Sequence, residues 1–273
     1  FGFGLILFAF SSVSTFGIAS IPVINTFILG LIVIAIFTFR QLKIDHPLLN
    51  LSVFKSKVFT LSAIASMLVF IGIVGPALLI PMYVQTGLGL SALLSGLVIL
   101  PGAVFNAFIS VYTGKIFDKY GIKVLVIPGF TVLIIMTILH AFLTTETPFW
   151  YVVVIYAIRM ISVGLLIMPL NTVGLNALKP EEISHGTAIM NSLRIIAGAM
   201  GTAISITILS IVAKNYTATH HTMSKVKLAR ESTVQGVDAA FIFTTVLIVI
   251  GFILALFIKE NRNAKDTDSS SEK

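Results

Sequence analysis

The 273-residue chain is 57% hydrophobic and only 11% charged, and its mean hydropathy is +1.04. A soluble domain carries about 25% charged residues, so this composition predicts an integral membrane protein, and the absence of cysteine excludes disulfides and thiolate metal sites. The net charge of +7 comes from Lys and Arg clustered between apolar runs, which predicts orientation in a bilayer and argues against nucleic-acid binding.

Apolar runs predict an all-α fold with about eight membrane spans, since about 20 apolar residues make a helix that crosses a bilayer. The runs cover residues 1–15, 22–39, 58–84, 91–112, 124–142, 149–178, 187–213 and 239–258. The first run begins at Phe1 without a charged region before it, so we expect a truncated N-terminus and no signal peptide. Residues 44–57 are too short to span and predict a cytoplasmic, interfacial connector, and residues 259–273 predict a polar tail.

The distribution of positive charge predicts the orientation. With the tail in the cytoplasm, connectors 40–57, 114–123 and 179–185 and the tail together hold twelve Lys and Arg. The outer connectors hold four, all within residues 214–238, and the opposite orientation would reverse this ratio. We therefore predict a multi-pass protein with a cytoplasmic C-terminus.

The segment GKIFDKYGIK, residues 114–123, is a charged stretch between two spans. Gly114 allows a helix end to pack closely or turn, and Gly121 supplies the positive φ of a chain reversal. Asp118 can accept hydrogen bonds from amides at a neighbouring helix start, and Lys123 can pair with it or with lipid phosphates. By spacing alone, an ordinary charged hairpin explains the segment equally well.

This segment resembles the signature loop of the major facilitator superfamily. The flanking segments are similar to 14-span drug:proton antiporters of the EmrB/QacA type, in particular the lincomycin-resistance-type members. The similar segments are LIPMYVQ (79–85), GLSALLSGLVILPG (89–102), GLLIMPLN (164–171), HGTAIMN (185–191) and RIIAGAMGTA (194–203).

The resemblance implies two six-helix bundles with two additional helices between them. Residues 1–43 would be those central helices, the first one truncated, and residues 58–258 would be the C-terminal bundle. The implied function is exchange of amphipathic drugs for protons across the plasma membrane of a bacterium, without a cofactor. The implied partners are the drugs, protons, the lipid bilayer and a missing N-terminal half of the same protein.

Polar side chains inside spans are candidates for the transport pathway. Arg159 lies near mid-span, and we expect it to line the pathway, although a structural arginine tied to carbonyl groups is the alternative. Asn106 and Asn171 can contact substrate or join helices. Arg194 lies close enough to the cytoplasmic face to anchor there, and the stripe that contains Gly198 and Gly201 favours close helix packing.

Four prolines inside spans, Pro76, Pro81, Pro101 and Pro169, predict bends that either gate a midplane cavity or are static. None of the eleven acidic residues falls at span depth, and Asp238 lies at the rim of the last span. We therefore expect the proton-coupling carboxylates in the missing half, so that these 273 residues alone should not transport.

Two other functions remain alternatives. The chain can be a non-transporting remnant of a truncated transporter gene, or a multi-spanning membrane enzyme. An enzyme of that kind needs acidic or histidine residues clustered at one membrane face, and the sequence has no such cluster, no phosphate-binding loop and no G-x-S-x-G or H-E-x-x-H motif. His220 and His221 predict a surface pair and no metal site.

Overall fold

The structure is a computed structural model that describes residues 1–17, 20–44, 50–220 and 223–259. Within these residues the chain forms eight α-helices and no β-strand. The helices are α1 (Gly2–Phe16), α2 (Ile21–Lys43), α3 (Lys57–Met82), α4 (Ala92–Tyr120), α5 (Lys123–His140), α6 (Phe149–Asn176), α7 (Ile183–Thr219) and α8 (Lys225–Leu256). Shorter helical segments cover Leu51–Lys55, Pro180–Glu182 and the π-helical turn Tyr83–Gly87.

Seven of the described helices are long and apolar enough to cross a membrane, and α1 adds a shorter apolar helix. At 15 residues, α1 is about 22 Å long, which is shorter than the roughly 30 Å hydrocarbon core. The prediction of an all-α, multi-pass membrane fold is therefore confirmed.

Serine side chains begin several of these helices. The hydroxyls of Ser56, Ser91 and Ser224 each accept a hydrogen bond from a backbone amide in the first turn of α3, α4 and α8. Such caps satisfy amide groups that have no partner within the helix. In α3 the helix then continues past Pro81 and widens into the π-helical turn Tyr83–Gly87.

The prediction of a long loop between the last two spans is wrong. We expected residues 214–238 to form the longest outer loop, whereas α7 continues to Thr219 and α8 already begins at Lys225. Charged residues end the apolar pattern there but do not end the helices. Lys227 pairs with Glu231 one turn later at 3.7 Å, and the Tyr216 hydroxyl donates to Glu231 at 2.6 Å.

Helix α3 lies in the middle of the helices that follow it and packs on α6, α7 and α8. Helix α5 packs between α6 and α8, whereas α4 packs mainly on α6 and leaves most of its side chains exposed. The pair α1–α2 meets the remaining helices through the contact of α1 with α7. Small residues allow the close approach of α7 to α3, where Gly198 lies against Phe70 and Gly201 against Ile71.

The connector between α2 and α3 is described from residue 50 onward. Its segment Leu51–Lys55 packs on the end of α3 through Val53, which is 1% exposed and lies in one apolar cluster with Phe59 and Ile189. The Ser52 hydroxyl donates to Glu182 at 2.9 Å. Residues 45–49 of the predicted connector, and the predicted tail from residue 260, lie outside the described residues.

Candidate functional site

The signature segment is mostly helical. Gly114 through Tyr120 form the last two turns of α4, and the reversal is confined to Gly121 and Ile122 before α5 begins. Gly121 has the positive φ predicted for it, 82°, and its amide donates to the Phe117 carbonyl at 2.8 Å. Gly114 makes no turn, and it faces the end of the Met168 side chain on α6. The expectation of a loop across the whole segment was wrong, because a charged end does not prevent a helix from continuing into the headgroup layer.

Asp118 and Lys123 are exposed on either side of this reversal, Asp118 on the last turn of α4 and Lys123 at the first residue of α5. Lys119 lies beside them with its ammonium 5.1 Å from the ring centre of Tyr120. The segment therefore presents charge at the helix ends, and the cavity beside it, lined by Ile122 and Lys123 together with α8, holds only about 80 Å³. A cavity of this size agrees with a contact role of the segment. These roles stay a prediction.

Helices α4 and α6 are joined by polar contacts along their interface. The Asn106 amide donates to the Met160 carbonyl at 2.8 Å, and the Thr113 hydroxyl lies 3.2 Å from the Gly164 carbonyl. A side chain at Gly164 would overlap Ile109, so this contact requires glycine. Asn106 thus forms a helix-to-helix hydrogen bond in this arrangement, and its role toward substrate stays a prediction.

Arg159 is fully buried where α6 meets α3 and α5. Its Nε donates to the Thr137 hydroxyl at 3.2 Å, and one of its terminal amino groups, Nη2, donates to the Gly72 carbonyl. The other, Nη1, has no hydrogen-bond partner among the described residues. A buried guanidinium is costly unless it is hydrogen-bonded, so these two acceptors fix its position between the three helices.

The acceptor on α3 is available because of Pro76. In an α-helix the carbonyl of residue 72 would accept from the amide of residue 76, but proline has no amide hydrogen. The Gly72 carbonyl is therefore left without its helical donor, and Arg159 supplies one. The structure thus brings together two residues that the sequence singled out separately, the intramembrane arginine and a helix-breaking proline.

The other predicted proline positions also lie within continuous helices. Pro101 is partly buried in α4, and Pro169 is buried in α6. Two residues beyond Pro169, the Oδ1 atom of Asn171 is buried and has no hydrogen-bond partner within the part of the chain that the structure describes. Whether these prolines act as gating bends, and whether Asn171 contacts substrate, stay predictions.

On α7, Arg194 lies partly buried beside α3. Its guanidinium donates to Asn191 at 2.5 Å and lies 5.8 Å from the ring centre of Phe70. One turn further along α7, Gly198 faces the same Phe70 ring. These contacts are those of a helix-packing residue, and the predicted anchoring of Arg194 at the cytoplasmic face stays a prediction.

Two further ionisable residues lie within helices, and the sequence did not single out the first of them. His140, the last residue of α5, is fully buried, and its ring stacks on Phe241 with ring centres 4.9 Å apart. Asp238 lies about four turns into α8, directly before the apolar run 239–258, and its position at the rim of that span stays a prediction. It is partly buried, and its Oδ1 atom has no hydrogen-bond partner among the described residues. A search for histidines at the end of an apolar run, in addition to acids, would have found His140.

The end of the helices near His140 is closed by side-chain contacts with backbone carbonyls. Arg230 of α8 donates to the carbonyls of Gly87, Leu88 and Thr145, at 2.8, 3.1 and 3.3 Å. The Tyr83 hydroxyl donates to the Thr144 carbonyl at 2.7 Å. These bonds tie α8, the π-helical turn and the α5–α6 connection together at one end of the helices.

An apolar cleft of about 390 Å³ lies between the α1–α2 pair and α7. Its lining includes Phe10 of α1, Phe27 of α2 and Ile208 of α7, and Thr207 contributes a single hydroxyl. None of the predicted pathway residues lines it. Its open, apolar walls are those expected of a surface in contact with lipid.

Known proteins resemble the chain over most of its length. The family that it matches is the Major Facilitator Superfamily, over residues 1–202. The chain is 39% identical over 259 residues to the lincomycin resistance protein LmrB of Listeria monocytogenes, covering 95% of this chain and 55% of that protein. It is 38% identical over 260 residues to LmrB of Bacillus subtilis, covering 94% of this chain and 54% of that protein.

A more distant similarity links it to the multidrug export protein EmrB of Haemophilus influenzae. The identity is 28% over 184 residues, which is 67% of this chain and 35% of that protein. The chain spans about half the length of the LmrB proteins that it matches.

Proposed function

Because the chain belongs to the major facilitator superfamily, we propose that it forms the C-terminal part of a secondary multidrug exporter. The exporter exchanges amphipathic drugs, lincomycin among them, for protons across the bacterial plasma membrane. Family members of this kind move substrate by rocking two helix bundles about a site near the membrane midplane.

The observation that carries the proposal is the 39% identity, over 95% of the chain, to a protein named for lincomycin resistance. The multi-pass helical fold and the absence of a clustered acid or histidine metal site among the described residues agree with transport and give no support to an enzyme. The similarity to EmrB supports the wider range of drugs.

We assign α3 to α8 to the C-terminal bundle, and α1 and α2 to the two central helices. In support, α3 packs on α6, α7 and α8, whereas α2 packs on α1 alone among the larger contacts. The greater length of the relatives leaves room for an N-terminal bundle that completes the transporter. The C-terminus lies in the cytoplasm by the charge count, which places the reversal at Gly121 on the cytoplasmic side and His140 toward the outside.

We further propose that Asn106, Asn171 and Arg159 act along the transport pathway. Asn106 and Arg159 bridge helices of one bundle, α4 to α6 and α6 to α3, which separate only if bends within that bundle open a pathway. Substrate would reach the Arg159 guanidinium only after α3 and α6 separate, because the side chain is fully buried in the present arrangement.

The test uses the complete protein that contains this chain, produced in a drug-sensitive bacterium. Inside-out membrane vesicles should take up radiolabelled lincomycin and ethidium when a proton gradient is imposed, and a protonophore should abolish the uptake. Arg159→Gln should lower uptake at equal protein level. Uptake that requires ATP and persists without the gradient, or no uptake of either drug, would refute the proposal.

A further inference from the structure

Two buried nitrogen atoms without partners lie in the same part of the structure. The Nδ1 of His140 is 2.7 Å from the Met136 carbonyl. A carbonyl can only accept, so Nδ1 carries the hydrogen and Nε2 is a bare acceptor. Among the described residues this Nε2 has no hydrogen-bond partner, and neither has Nη1 of Arg159, which is a donor.

Thr137 connects these two residues. It lies one turn before His140 on α5, and its hydroxyl accepts from Nε of Arg159. Tyr156, one turn before Arg159 on α6, stands edge-on to the His140 ring with ring centres 6.4 Å apart. The hydrogen bond to Thr137 therefore holds the guanidinium one turn of α5 away from the imidazole.

The other helices packed on α5 bring no carboxylate into hydrogen bonding with the ring, within the described residues. Helix α8 presents the apolar ring of Phe241, and one turn earlier its Asp238 has a buried Oδ1 atom without a hydrogen-bond partner among the described residues. Tyr83 lies in the same apolar cluster with its hydroxyl on the Thr144 carbonyl. Helix α4 carries its ionisable side chains in its last turns, at the opposite end.

We propose that His140 carries the proton of the transport cycle within this bundle and that its protonation releases Arg159. The proposal rests on the proton-coupled function above. His140 is fully buried in the present arrangement, so Nε2 takes its proton from water in a state in which the contacts that close this end of the helices have opened. One N–H bond then forms, and the imidazole becomes an imidazolium. The same bond breaks when the proton returns to water in a later state, so the cycle needs no oxidant or reductant.

Protonation of His140 would change how α3 and α6 are held together. An imidazolium beside the guanidinium places two positive charges in one buried cluster, and their repulsion drives Arg159 away from Thr137 and Gly72. The Gly72 carbonyl then has neither its helical donor, which Pro76 lacks, nor the arginine. Helix α3 is thereby freed from α6 at a turn where its own hydrogen bonding is interrupted, which makes Pro76 the position where α3 bends.

The first test measures transport by the complete protein in proteoliposomes. His140→Asn cannot take up the proton and should lower lincomycin accumulation driven by a pH gradient at least about tenfold. Exchange of labelled for unlabelled lincomycin at equal pH should stay within about twofold, because exchange needs no change in protonation. The control His220→Asn, at the end of α7, should leave both unchanged. Undiminished gradient-driven accumulation by His140→Asn, or equal loss of exchange, would overturn the proposal.

The second test does not depend on drug transport. Infrared difference spectra between acidic and alkaline buffer, recorded on histidine-labelled protein, should contain imidazole bands that His140→Asn removes. If no band depends on His140 over the pH range in which the protein stays helical, the proposal is overturned. If the unchanged protein shows these bands but exports no drug, the proposed function fails while the protonation of His140 stands.

Discussion

Replacing Thr137 by valine removes one of the two acceptors that hold Arg159 inside the helices while keeping the shape of the side chain. Thr137 is fully buried, and its hydroxyl both donates to the Leu133 carbonyl at 2.6 Å and accepts from Arg159. Valine can do neither. The guanidinium would then have a single acceptor, the Gly72 carbonyl, for its donor groups.

The expected cost follows from the charge on the donor. A neutral hydrogen bond between membrane helices contributes about 0.6 kcal/mol on average, whereas a bond from a charged donor contributes about 1.5–3 kcal/mol. Because Arg159 is charged and wholly buried, we expect Thr137→Val to lower the free energy of unfolding by about 2 kcal/mol. Thr137→Ser keeps the acceptor and loses one methyl group, so it should cost about 1 kcal/mol.

Helix α5 offers a matched control in Thr131. Its hydroxyl also donates to the carbonyl four residues earlier, at 2.8 Å from the Ile127 oxygen, but the side chain is exposed and meets no arginine. Thr131→Val therefore measures the loss of the intrahelical bond alone. Unfolding by a denaturing detergent in mixed micelles, followed by circular dichroism, gives the difference between the two variants.

A double-mutant cycle isolates the contact itself. In an Arg159→Met background, Thr137→Val should cost no more than Thr131→Val, so that the coupling energy between positions 137 and 159 is about 2 kcal/mol. If Thr137→Val and Thr131→Val are equally stable in the unchanged background, the Thr137 hydroxyl does not hold the guanidinium, and its hydrogen bond does not fix the position of Arg159.

Two further predictions concern helix packing and the signature segment. Gly236→Ala should destabilise the protein by about 1–3 kcal/mol, because a Cβ there would lie 2.7 Å from the backbone oxygen of Leu209. Gly96 has nothing within 4 Å of the position of a Cβ, so Gly96→Ala should stabilise the protein by about 0.5–1 kcal/mol. Unfolding of both variants in the same micelles measures the contrast, and equal effects would contradict the close α7–α8 contact. Asp118→Asn should slow drug export by the complete protein more than it weakens drug binding. Asp118 is exposed at a helix end, as expected of a residue that holds helix ends together in one state of the transport cycle. Equal losses in initial export rate and in binding affinity would place Asp118 in the drug-binding pocket instead.

The sequence was sufficient to predict a structural feature wherever one physical property, such as the length of an apolar run, decides that feature. Apolar length alone predicted the spans that became α3 to α6 to within a few residues, except where α4 continues through the charged segment to Tyr120. Gly121 was predictable because a reversal directly after a helix requires positive φ. The extensions of α7 and α8 were not, because a helix that leaves the membrane loses its apolar pattern while it keeps its backbone hydrogen bonds.

The candidate site was only partly readable from the sequence. Intramembrane arginine and proline are conspicuous by type, so Arg159 and Pro76 were both identified. Their relation was not, since it depends on which carbonyl of α3 faces α6. His140 escaped notice because a single histidine at the end of an apolar run has no distinguishing neighbour in the sequence, and its burial arises from packing against Phe241 and Tyr156.

The amino-acid sequence by itself determined that this chain is a multi-pass helical membrane protein, because backbone groups in lipid have to be satisfied within each apolar segment. It also determined the resemblance to drug exporters, because that resemblance rests on short sequence segments that can be compared residue by residue. Only the tertiary structure decided what the buried polar groups contact. The distance from Pro76 to Arg159 along the chain is 83 residues, and a hydrogen bond to the carbonyl that proline leaves free exists only once α3, α5 and α6 have packed together.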